Sequence, residues 1–196
     1  MGSAAPSSVR TTNPKPNIVT SMRCETHLRY LLLLLMPALI WASPQFPQTI
    51  QYHGEGYQKL GEHRYYHKRI FKVYDAVLYT APQASADNVL NADRSFKLTF
   101  SYLRDIDKAL AIDAADRALE KNLDPNQAAI IASRLRDLNS AYVSVAKGDT
   151  TTLHYQPGLG TTYSINGEPQ TTIPGADFAQ LYFRIWLGEQ PLSTAL

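Results

Sequence analysis

Cysteine is almost absent from this chain: Cys24 is the only one among 196 residues. It lies upstream of an apolar run, on the wrong side for a lipidation site. From residue 43 onward no disulfide can form, so that part must be held by its core alone, and it can enter an oxidising compartment with nothing to mispair. A charge excess is lacking as well. Four of the 19 basic residues (Arg10, Lys15, Arg23, Arg29) and one of the 17 acids (Glu25) precede residue 43, which leaves the remainder at a net charge of −1. The basicity of the whole chain is thus a property of its N-terminal segment and gives no support for nucleic-acid binding. No apolar run is long enough for a comfortable membrane span, which needs about 20 residues. A Gly-rich phosphate loop, a Ser-centred elbow and a Cys–His pair are also missing.

What is present begins with a leader. Residues 1–21 are rich in Ser, Thr, Pro and Asn without apolar period, and read as disordered or as a mis-assigned extension, with Met22 as the true start. A short basic stretch, Met22 to Arg29, then precedes Tyr30-Leu-Leu-Leu-Leu-Leu-Met-Pro-Ala-Leu-Ile-Trp41. Ala42 offers a small residue for cleavage, although Ile40 is a poor residue two positions before it. Residues 22–42 are therefore expected to be a signal peptide, with an uncleaved anchor as the alternative, and residues 43–196 a single exported, periplasmic domain.

That domain shows no internal repeat and no linker. Its order of elements predicts an α+β fold, a largely antiparallel sheet packed by a layer of helices. Glu62–Tyr66, Ile70–Tyr79 and Ser95–Tyr102 suit strands, with Phe96, Leu98 and Phe100 on one face. Pro82 to Asp87 breaks the pattern. Ile112, Ala115, Leu119 and Leu123 make one helical stripe, and Ile131, Leu135, Leu138 and Tyr142 a second. Asp124 is a natural N-cap followed by Pro125 in the first turn. Gly148-Asp149 opens a strand over 150–155, and residues 161–165 run into Asn166-Gly167, a strong hairpin signal. A last helix starts near Gly175, with Phe178, Leu181, Tyr182 and Ile185 inward and Gly188 as a left-handed C-cap. The natural ligand position in such a layered arrangement is the gap between helices and sheet.

Five segments in this order resemble the bacterial chalcone isomerase-like family: Gly61-Glu-His-Arg64, Phe71-Lys-Val-Tyr-Asp-Ala-Val-Leu-Tyr79, Tyr102-Leu-Arg-Asp-Ile106, Lys147-Gly-Asp149 and Ile185-Trp-Leu-Gly188. The resemblance implies an open-faced β-sandwich of the chalcone isomerase type. Plant isomerases of that fold line their cleft with an arginine, a threonine, a tyrosine, an asparagine and a second hydroxyl residue. Arg64 and Asn122 match the arginine and the asparagine, and Tyr74 stands at the threonine. Ala115 and Ile185 stand where the other two hydroxyls would be. Alanine and isoleucine cannot stabilise a developing enolate, so the resemblance points to the non-catalytic, fatty-acid-binding branch. There an arginine beside a phenol holds a carboxylate head and apolar side chains hold the tail.

The expected ligand-binding residues are Arg64, Tyr74, Asn122 and Tyr102, with no metal and no cofactor. The partner is a small amphipathic molecule such as a fatty acid, with no nucleic acid and no stable membrane span once the leader is cleaved. An isomerase or lyase acting on an unsaturated carbonyl compound, using Tyr102 or Thr80 as hydroxyl donor, is the alternative; an envelope structural or interaction protein is a third. Each residue also has a plain role. Arg64 sits in a polar stretch, Asn122 suits a helix end touching backbone, and Asp75 in an apolar strand invites a cationic partner on a neighbouring strand. His63 and His67 share a strand face but have no third ligand to make a metal site.

Overall fold

Runs rich in Tyr, Val, Phe and Thr form a continuous antiparallel meander, interrupted once by two helices. A computed structural model describes residues 46–82, 88–91 and 93–192. The leader expected over 1–42 and most of the Pro82–Asp87 break lie outside these residues. The strands are β1 (Thr49–Tyr52), β2 (Glu55–His67), β3 (Phe71–Thr80), β4 (Phe96–Tyr102), β5 (Thr150–Gln156), β6 (Gly160–Ile165) and β7 (Glu168–Ile173). They pair in sequence order, each antiparallel to the next, in one sheet that curls into a half-barrel. Helices α1 (Lys108–Asn122) and α2 (Pro125–Ala141) stand between β4 and β5, and α3 (Ala176–Tyr182) with a single turn, α4 (Arg184–Leu187), closes the domain. The α+β architecture expected from the sequence is the one observed.

Alternation sorts the side chains onto two faces. Registers Tyr74↔Tyr102, Ala76↔Phe100 and Leu78↔Leu98 place the helix-facing residues of β3 and β4 opposite one another. Leu153 of β5 continues the row, and Phe178, Tyr182, Phe183 and Ile185 meet it from the helices; all of these are buried. The intervening residues of β3 form a second, smaller cluster on the opposite face, where Tyr57, Val77 and Tyr79 pack with Phe46, Ile50 and Tyr52. Both faces of β3 are therefore covered, which is why Val73 to Thr80 is buried without a break.

Local signals set the helix ends. The Asp124 carboxylate accepts from the backbone N–H groups of Asn126 and Gln127, while Gln127 Oε1 accepts from Asp124 N–H, a complete capping box with Pro125 behind it. Asp107 caps α1 by accepting from Ala109 N–H. Two expectations need correction at the C-terminal end. The last helix is not continuous, because Phe183 turns the chain between α3 and α4 and is wholly buried there. Gly188 has φ −85°, so it is not a left-handed cap. Glycine is needed for space instead: a Cβ there would lie 2.5 Å from Asn122 Oδ1 and 2.6 Å from the Arg184 carbonyl oxygen.

Candidate functional site

Between the helical layer and the inner face of the sheet lies a cavity of about 350 Å³, near the lower end of the ~300–1,000 Å³ typical of small-molecule sites. Its deep wall is built by Val73, Tyr74, Phe100, Leu153, Ile185 and Trp186, all buried. Ala115 of α1 also lines it. Ala115 and Ile185, the two positions where the resemblance looks for hydroxyls, thus face the cavity as apolar wall. The mouth is made by exposed residues from four elements: His67 at the end of β2, Arg104 and Asp105 after β4, Leu110 in α1 and Val143 after α2.

Polar groups in the wall are mostly phenols. Tyr102 Oη and Thr151 Oγ1 are 3.2 Å apart, and Tyr142 Oη lies 2.5 Å from Tyr182 Oη. Burial pushes the Tyr102 and Tyr142 phenols up, so both stay neutral at ordinary pH and serve as hydrogen-bonding groups rather than bases. Tyr74 is different. Its ring stacks on Tyr65 at 5.1 Å and meets Phe100 edge-on at 5.1 Å, yet its hydroxyl is buried with no hydrogen-bond partner of acceptable geometry. The same holds for the indole N–H of Trp186. Burial raises the Tyr74 phenol, and the nearby Trp186 indole offsets the shift only in part. The deep wall of the apolar cavity therefore holds two neighbouring polar groups that make no well-formed hydrogen bond.

The four residues expected to bind a ligand do not all meet here. Tyr74 and Tyr102 line the cavity. Arg64 does not: its guanidinium donates to Asp75 through Nε at 2.5 Å and Nη2 at 2.8 Å, a two-pronged ion pair. Register explains it. Arg64 pairs with Asp75 and Tyr65 with Tyr74, so Arg64 and Tyr74 fall on opposite faces of the sheet. Arg64 lines a separate, shallower recess with Phe46, Glu62 and Tyr66. The Asp75 carboxylate holds the Arg64 guanidinium above its ordinary range. Asn122 serves the chain end: its amide donates to Ala118 and Gln190 carbonyls, and Gln190 N–H donates back to its Oδ1. His63 lines the recess and His67 the cavity mouth, separated by a register shift between Tyr65 and Tyr66.

The residue that sequence reading passed over is Arg104. It stands at the mouth with its guanidinium 5.7 Å from the centre of the Phe71 ring. Among the described residues it pairs with no carboxylate, whereas Arg117, also on the lining, is bonded to Asp113. Its place within Tyr102-Leu-Arg-Asp-Ile106, just past the end of β4, was the available signal.

Comparison with known proteins agrees with this fold. Residues 42–196 match the family described as chalcone isomerase-like, and the chain belongs to that family. Among solved structures, a fatty-acid binding protein of Arabidopsis thaliana is similar over 75% of this chain and 86% of its own, with a TM-score of 0.57 and 14% sequence identity. At that identity the likeness shows a shared fold. No curated protein matches the chain.

Proposed function

We propose that this chalcone isomerase-like domain binds a small amphipathic carboxylate, a fatty acid or similar molecule, without turning it over. The observation behind this reading is the apolar cavity between helices and sheet, under a mouth that carries the cation Arg104. The tail fills the cavity, with the rings of Tyr74 and Tyr102 among the surfaces that hold it, and the carboxylate meets Arg104 at the mouth. Arg104 is preferred to Arg64 because the guanidinium of Arg64 is already engaged by Asp75. The solved fatty-acid binding protein of the same fold adds support by analogy. The leader-like segment 22–42 supports export to the periplasm, which cell fractionation would test.

The catalytic reading has one observation in its favour, the hydroxyls of Tyr102 and Tyr142 at the cavity wall. It would require turnover of an unsaturated carbonyl compound that is lost in Tyr102→Phe. The binding reading is tested by calorimetric titration with dodecanoate. A hydrogen bond to a charged group is worth about 1.5–3 kcal/mol, so Arg104→Ala is expected to weaken binding about ten-fold or more. Arg64→Ala should leave affinity unchanged and lower the melting temperature, because it strips a partner from buried Asp75. Loss of binding in Arg64→Ala with Arg104→Ala unaffected would move the carboxylate to the other face of the sheet.

A further inference from the structure

The rim of the cavity departs from the rest of the domain. From residue 43 onward the net charge is −1, yet the β2–β3 turn carries exposed Lys68 and Arg69 side by side, with exposed Lys72 and Arg104 close by. The same turn presents Ile70 at 70% exposure and Phe71 at 48%, and the mouth adds Leu110 at 64% and Val143 at 51%. Large apolar side chains gathered around one opening mark an interaction surface.

The backbone of the turn adds a separate observation. Lys68 and Arg69 have φ +51° and +63°, left-handed conformations that hairpin turns ordinarily give to glycine or asparagine. Two long cations kept where they strain the chain point to a use for charge at that spot.

We infer that this rim docks on an anionic bilayer surface. Lys68, Arg69 and Lys72 meet acidic headgroups, while Ile70 and Phe71 enter the boundary between headgroups and acyl chains. A bilayer interface accepts both kinds of side chain at once, whereas an acidic protein patch would press Ile70 and Phe71 against charge. The cavity opens on this face, so an amphipathic ligand can pass between bilayer and cavity without crossing bulk water. That purpose rests on the reading of the cavity given above; the docking itself does not.

The test uses the full chain with phosphatidylcholine vesicles, with and without phosphatidylglycerol. Amide hydrogen exchange over Tyr66–Val73 reads the contact locally, independent of the N-terminal segment, and is expected to slow only with the anionic vesicles. The double variant Lys68→Asn/Arg69→Gly removes two charges and suits the turn better. It should melt no lower than the parent, bind dodecanoate in solution unchanged, and bind anionic vesicles about 25-fold more weakly, at about five-fold per cation. Protection with normal docking but no dodecanoate binding would sustain the docking face and defeat the cavity reading alone. Exchange at the turn unaltered by anionic vesicles, or vesicle binding untouched by loss of both cations, would overturn the docking proposal and leave a protein partner for this face.

Discussion

Tyr74 places a hydroxyl in a deep wall that is mostly apolar. A buried hydroxyl without a partner costs about 1–3 kcal/mol, and Tyr74, with only a poorly aligned Trp186 indole beside it, carries part of that cost. Tyr74→Phe is therefore expected to stabilise the ligand-free protein by about 1 kcal/mol in thermal unfolding. It is expected to leave dodecanoate binding within about two-fold of the parent, because the ring faces the apolar tail while the carboxylate lies at the mouth. A less stable variant would mean that the hydroxyl is satisfied in the free protein. At this scale the sequence was partly legible. Asp75 inside an apolar strand announces a cation on the next strand, and Arg64 is that cation. The consequence is geometric: Tyr74 and Asp75 are neighbours in one strand and point to opposite faces. A cation bonded to Asp75 is thereby separated from the Tyr74 hydroxyl. Which face a strand residue takes depends on register, and a one-residue shift reverses it.

At the scale of elements, the N-terminal hairpin is the least expected part of the fold. β1 and the first half of β2 lie against the sheet face opposite the cavity, where Tyr57 Oη is 2.8 Å from His154 Nε2 and 3.0 Å from Glu55 Oε2. His154 is 2% exposed, and Tyr52 and His53 pack around it. Burial first, then the charges of His53 and Lys97, push the imidazole down to about 4. A base depressed in the folded state takes up its proton in the unfolded chain first. Its contribution is fully present above pH 6.5 and is lost as pH falls toward 4, at up to about 3 kcal/mol from 1.36 kcal/mol per unit. The melting temperature should fall over that window, and the fall should be shallower in His154→Phe than in the parent. Parallel pH profiles would place the loss elsewhere. The hairpin was hard to read because residues 55–61 mix Gly, Glu, Gln and Lys with few apolar positions. β7 was announced only by the Asn166-Gly167 turn before it, for a similar reason: Glu168-Pro-Gln-Thr-Thr-Ile173 is an edge strand, mostly exposed, and carries Pro169. The helices were legible because their signals are local, Asp124-Pro125 at a start and apolar spacings of three and four within. The break at Phe183 was not, since it is set by burial of that ring against Phe96, 4.6 Å away in another element.

For the molecule as a whole, the meander of seven strands brings every inward ring of β3 to β6 onto one surface, and the helices roof it without filling it. That incomplete filling is what a sequence conceals. By periodicity Ala115 and Ile185 read as core positions; the resemblance alone set them at a cleft, and their placement shows that the space beside them remains open. The same placement offers a means of closing it. Ala115→Trp fills the cavity from α1 while leaving the mouth, the Arg64–Asp75 pair and the sheet faces as they are. The most direct measurement is native mass spectrometry of the protein purified gently from cells, with organic extraction of whatever accompanies it and Ala115→Trp alongside. A bound monocarboxylate is expected on the parent and is expected to be absent from the folded variant. A bare parent that also takes up no added dodecanoate, or a ligand retained in full by the filled variant, would contradict the binding reading.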